Sequence, residues 1–119
     1  MKIAVVGSRE FKDKQFVYNK VTSVFYNTDY KTKPEFVSGG AIGVDSWAEE
    51  CILGHTKKYI FKPDWDKYGK RAGFIRNELI INEADKVIAF WDGQSKGTKH
   101  SIDLAIKAGK PIDIYVRQK

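Results

Sequence analysis

Ser38-Gly39-Gly40-Ala41-Ile42-Gly43-Val44-Asp45 places three glycines in eight residues, between an apolar run at Glu35-Phe36-Val37 and a helical pattern of Val44, Trp47, Ala48, Cys51 and Ile52. Glycine lets the backbone turn sharply and leaves no side chain between it and a ligand. A helix that starts there turns unpaired N–H groups and the positive end of its dipole back on the loop, an arrangement that seats a phosphate or carboxylate. Asp45, at the helix start, has two readings. It orients a ribose hydroxyl or takes part in acid–base chemistry, or it caps the helix.

Two further loops carry similar chemistry. Gly7-Ser8-Arg9 offers a tight turn, a hydroxyl and a guanidinium able to grip an anionic oxygen with paired hydrogen bonds. The alternative for Arg9 is a surface pairing with Glu10 or Asp13. From Asp92 to Thr98, Gly93, Ser95, Gly97 and Thr98 supply amides and hydroxyls, and Lys96 and Lys99 add charge. The alternative there is a mobile surface loop.

Lys70 to Glu78 opens a further helix. Arg76 and Asn77 are placed to reach a phosphate and a base or ribose, and Glu78 to contact a sugar or pair with Arg76. Trp65, Tyr68 and Trp91 are candidates to stack on a base, or else cover the edge of the core as Trp47 does. The candidate catalytic carboxylates are Asp45 and Glu78. No G-x-G-x-x-G follows the first apolar run, so the dinucleotide fingerprint is missing. His55 and His100 lack partners at metal-ligand spacing; neither a metal nor a cofactor is expected.

Positioning these loops requires a regular scaffold, and the hydrophobic pattern supplies one. Unbroken apolar runs predict buried strands at 2–7, 35–38, 57–61, 86–91 and 111–116. Between them, helical spacing predicts a helix capped by Asp13, with Phe16, Val17, Val21, Val24 and Phe25 inward, ending near Asn27 to Asp29. A second runs over 44–55 and buries Cys51 as a core thiol. A third runs over 72–84, with Phe74, Ile75, Leu79, Ile80 and Ile81 inward. The fourth, over 98–108, turns Ile102, Ala105 and Ile106 inward and closes on Gly109. The segment 63–71 has no clean period and reads as a loop.

This βαβαβαβαβ alternation predicts an α/β Rossmann-like three-layer sandwich: a parallel five-stranded sheet, order 3-2-1-4-5, with helices on both faces. Ligands of such sheets bind beyond the carboxyl ends of the strands, where the strand order reverses. The loops after strands one, two and four all fall on that edge.

The chain has 119 residues, 42% of them hydrophobic, a formal net charge of +6 and a pI near 9.4. That size suits a single domain over 1–119. The charge favours anionic partners, a nucleotide-derived small molecule or single-stranded nucleic acid. One cysteine excludes an internal disulfide. No run reaches the roughly 20 apolar residues that span a bilayer, and the first residues do not read as a signal peptide. A cytoplasmic homo-oligomer without a membrane partner is expected.

Gly7-Ser8-Arg9-x-Phe11, Ser38-Gly39-Gly40-Ala41-x-Gly43-Val44-Asp45, Pro63-Asp64-Trp65, Gly69-Lys70-x-Ala72-Gly73-x-x-Arg76-Asn77 and Ala89-Phe90-Trp91-Asp92-Gly93-x-Ser95-x-Gly97-Thr98 together resemble the SLOG superfamily of the YspA and YpsA-related type. The resemblance covers nearly the whole chain. It implies a Rossmann-like fold that binds nucleotides, nucleotide-derived signals or nucleic acid, as a sensor or sequestering module or as an N-glycosidic hydrolase or transferase. The LOG phosphoribohydrolases of that superfamily carry P-G-G-x-G-T-x-x-E. Here Asp92-Gly93-Gln94-Ser95 replaces its opening, and its glutamate falls on Ser101. The DprA proteins share the Gly-Ser-Arg, Ser-Gly-x-Ala-x-Gly-x-Asp and Arg-Asn elements, which implies single-stranded DNA binding as the alternative.

Overall fold

In the computed structural model, residues 1–26, 34–52, 54 and 56–117 are described. Five strands, Lys2–Gly7 (β1), Glu35–Ser38 (β2), Lys58–Ile60 (β3), Lys86–Trp91 (β4) and Ile112–Val116 (β5), form one sheet in the order β3-β2-β1-β4-β5. Every neighbouring pair is parallel. The predicted order is therefore observed, and the reversal point lies between β1 and β4.

The period-two alternation of strand side chains divides the core into two layers. Ile3, Val5, Phe36, Ile88 and Phe90 pack on one face against Val17, Val21 and Phe25 of Lys14–Tyr26 (α1) and Val44 and Ala48 of Val44–Glu50 (α2). Ala4, Val6, Val37, Val87 and Ala89 pack on the other. There they meet Ile80 and Ile81 of Ala72–Glu83 (labelled α4 below, after the short α3) and Ile102 and Ala105 of Lys96–Lys107 (α5). Because β1 and β4 are covered on both sides, each has four consecutive buried residues. Asp13 starts α1, its carboxylate accepting the Phe16 N–H at 3.1 Å.

Several expectations are corrected. Within 63–71, Pro63 and Asp64 are loop as expected, but Trp65–Tyr68 (α3) is a single helical turn and Gly69–Arg71 a 3-10 turn. Asp64 caps α3 by accepting the Lys67 N–H at 3.1 Å, which sustains a turn too short to show a period. α2 ends at Glu50, so Cys51 is a half-buried cap residue whose thiol donates to the Trp47 carbonyl. On α4, Phe74 and Leu79 are exposed while Asn77 is buried, and on α5 Ile106 is exposed. α5 begins at Lys96, two residues early, because Ser95 caps it. The predicted end of α1 at 27–29 and His55 lie outside the described residues. No helix of the described residues is long and apolar enough to cross a membrane.

Candidate functional site

Gly7 closes β1 where the backbone presses on α2: a β-carbon there would lie 2.5 Å from Val44 Cβ. Ser8 follows, buried, and its hydroxyl joins two loops. Ser8 Oγ lies 3.1 Å from Thr98 Oγ1 and accepts the Asp92 N–H at 3.2 Å. The Ser8 N–H donates to the Phe90 carbonyl at 3.0 Å. Phe11, also buried, anchors the far side of the turn through its N–H to the Ser8 carbonyl at 3.1 Å.

The loop after β2 is held from the other face. Arg76 Nη1 donates to the Gly39 carbonyl at 3.2 Å, and a β-carbon on Gly39 would collide with that nitrogen at 2.4 Å. Arg76 Nε donates to Asn77 Oδ1 at 3.1 Å. Asn77 Nδ2 in turn donates to the Gly97 carbonyl at 3.4 Å and lies 3.3 Å from His100 Nδ1. These contacts explain why a polar residue fills a buried position of α4. Asp45 does not cap α2. The cap position is Gly43 at φ +86°, and the Asp45 carboxylate reaches back to accept the Ala41 N–H at 3.2 Å.

The third loop is wound on Asp92, whose Oδ1 accepts the N–H groups of Gln94 at 2.9 Å and Ser95 at 2.8 Å. Ser95 Oγ accepts the Thr98 N–H at 3.4 Å and so starts α5. The twelve-residue α5 thus presents its N-terminal turn to the space between the loops.

That space is a cleft of about 440 Å³ at the carboxyl ends of β1 and β4. Of the sequence candidates, Gly7, Arg9, Ala41, Asp45, Arg76, Asn77, Asp92, Ser95, Gly97 and Thr98 line it. Ser8, Ser38, Gly39, Gly40 and Gly43 stand behind the lining. Ser8 and Gly39 make the ties described above, Ser38 Oγ accepts the Gly40 N–H at 3.3 Å, and Gly40 backs onto Ile60 and Lys62. The Trp91 indole packs on the core and donates to the Ser95 carbonyl at 3.1 Å, with Gly93 turning at φ +85° beside it. Lys96 and Glu78 are exposed outside the cleft. Val6, Glu10, Ile80, Gln94 and Ser101 complete the lining. Ser101 follows Thr98 by one turn of α5, so helical spacing alone could have found it.

Arg9, Arg76, Glu10, Asp45 and Asp92 bring charge of both signs to the cleft. Burial raises the Asp45 carboxyl to about 6, against the pull of the Ala41 N–H, the Arg76 guanidinium, the Gly39 N–H and the Ser38 hydroxyl. Burial lowers Arg76 from its usual value; Asp45 opposes that shift, and the neighbouring Arg9 adds to it. A guanidinium has five donors, and Arg76 directs two of its own at Gly39 and Asn77. The arrangement can accept an anion.

No protein-family model matches the chain. In sequence it is similar to the Gene 61 protein of Mycobacterium phage D29, with 32% identity over 118 residues covering 93% of each chain. In structure it is similar to DNA processing protein A from Helicobacter pylori, which has a unique single-stranded DNA binding mode. The TM-score is 0.76 and the identity 25%, over 100% of this chain and 66% of that one. The chain thus spans slightly less than two thirds of that protein. The molybdenum cofactor binding protein of the phototrophic bacterium Rippkaea orientalis shares the fold, at a TM-score of 0.72 and 19% identity over 98% of this chain and 77% of that one.

Proposed function

This chain belongs to the family of the Gene 61 protein of Mycobacterium phage D29, and we propose that its cleft binds a nucleotide or nucleotide-derived ligand by its phosphate. The observation that carries the reading is the pair of like charges, Arg9 and Arg76, brought together on one cleft with the N-terminal turn of α5. Glu10, Asp45 and Asp92 share the cleft, and an anion between the two guanidiniums would add charge-assisted hydrogen bonds to both. Arg9, Arg76 and the Gly97 amide would take the phosphate. Asn77 and Asp45 would orient the ribose. We read the chain as a single SLOG-type domain of the YspA and YpsA-related kind that senses or sequesters this ligand. Asp45, titrating near 6, is the carboxyl suited to proton transfer if the ligand is also cleaved. Glu78 lies outside the cleft.

Thermal unfolding with AMP, ADP-ribose, NAD and cyclic nucleotides tests the reading. A true ligand at about 100 times its dissociation constant adds about 2.7 kcal/mol of stability, and Arg76→Ala removes that gain. A panel that leaves the transition unmoved overturns the proposal.

The likeness to a single-stranded DNA binding protein over 100% of the chain supports a second reading, single-stranded nucleic acid across the same rim. The formal charge of +6 agrees with it. Its signature is an affinity for an oligonucleotide that falls steeply with salt, the slope counting the phosphates engaged.

A further inference from the structure

We infer that the exposed indole of Trp65 is the platform on which the base of the bound nucleotide stacks. This rests on the reading of the cleft given above and names the part of the ligand that the cleft does not hold. The cleft is lined by cations, carboxylates, amides and hydroxyls but by no aromatic side chain. Trp65 sits outside it, a large hydrophobic side chain left 57% exposed.

Its position is fixed from both ends. Asp64 caps α3 and sets Trp65 as the first helical residue. The Trp65 Cη2 atom lies 3.8 Å from the point where a β-carbon on Gly73 would stand, so the indole edge rests beside the first turn of α4. Arg76 and Asn77 follow Gly73 by three and four residues, which puts them on the same face of that helix one turn on. One turn is about 5 Å along the axis, a gap that a ribose bridges. The phosphate-facing guanidinium and the open indole are thus successive stations along one wall. Gly73, an unfavourable residue inside a helix, keeps the wall between them bare.

Tyr68, three residues along α3 and 39% exposed, extends the aromatic surface. Trp91 does not compete for this role, since its indole N–H is committed to Ser95 and its ring packs on the core. The ligand class that fits both stations is a nucleoside phosphate, with its base held by ring contact rather than by base-specific hydrogen bonds.

Calorimetric titration of AMP and of ribose 5-phosphate into wild type, Trp65→Ala, Trp65→Phe and Arg76→Ala tests this, with circular dichroism confirming that each variant is folded. AMP should bind wild type more tightly than ribose 5-phosphate. Trp65→Ala should weaken AMP by about 5- to 150-fold, the range for losing one stacked base, and leave ribose 5-phosphate unchanged. Trp65→Phe should retain most of the preference, and Arg76→Ala should weaken both ligands. Equal affinities in wild type, or an AMP preference that survives Trp65→Ala, would overturn the platform and leave the phosphate cleft standing. Failure of both ligands to bind wild type would remove both.

Discussion

At the end of the sheet where the strands begin, Lys2 Nζ meets Glu83 Oε1 at 2.7 Å, and Lys86 Nζ meets Asp113 Oδ2 at 3.2 Å. The Tyr59 hydroxyl faces the Glu35 carboxylate, and the ammonium groups of Lys2 and Lys57 lie over the Tyr59 ring. Lys110 Nζ closes the last turn of α4 on the carbonyls of Ile81, Asn82 and Ala84 at 2.5, 3.0 and 2.5 Å. At the end where the strands finish, Arg9 and Arg76 line one cleft and burial raises the Asp45 carboxyl. One end satisfies its charges with its own neighbours. The other gathers Arg9, Arg76, Glu10, Asp45 and Asp92 around an open cleft, so charge closes the sheet at one end and lines a space at the other.

The sharpest break in that comparison is Gly7→Val, which drives a branched side chain into Val44 where even a β-carbon has 2.5 Å. Overpacking on that scale should cost about 3 kcal/mol, read as a lowered urea midpoint at constant slope.

Asp45→Asn should act in the opposite direction. The folded-state value, about 6, lies above the ordinary 3.8. The folded chain therefore holds this proton more tightly than the unfolded chain, and that contribution to stability is complete below about pH 4 and lost as pH rises through 6. The amide keeps an acceptor for the Ala41 N–H, so the variant should be more stable than wild type by about 1–3 kcal/mol at pH 8. The gap should close by pH 4 in paired denaturation curves.

Lys110→Met tests the other end. It strips the helix-closing cation from three carbonyls and should cost about 1 kcal/mol, with phosphate affinity in the cleft unchanged by titration. The smallest effect belongs to Lys2→Met. Its partner Glu83 is part-exposed, so the midpoint shift should fall below that of Lys110→Met and vanish in about 1 M salt, where the screening length is about 3 Å.

What the sequence revealed follows from which signals are local. β1 and β4 are legible because strands covered on both faces leave unbroken apolar runs, and their order follows from the parallel connections between them. α3 is not legible, because four residues carry no period and Asp64 is its one local mark. The inward face of α4 was misassigned at Phe74 and Leu79 because Asn77 holds a buried place through Gly97 and His100, partners 20 and 23 residues away. The glycine loops announced a shared rim, and residues from all three line one cleft. Which members of each loop face inward was not readable. Ser8 and Gly39 look like ligand contacts in the chain yet hold loop to loop, a distinction set by tertiary distance alone.

Ser8 also divides the rim mechanically. Its hydroxyl joins the exits of β1 and β4, so that side behaves as a fixed anvil. The Gly39–Ala41 segment is tethered through Arg76 and Asp45, two of the charged groups that line the cleft. A ligand that engages those two groups and the first turn of α5 would be recorded as slowed deuterium uptake at residues 39–41 and 97–98, against a constant background in β1 and β4.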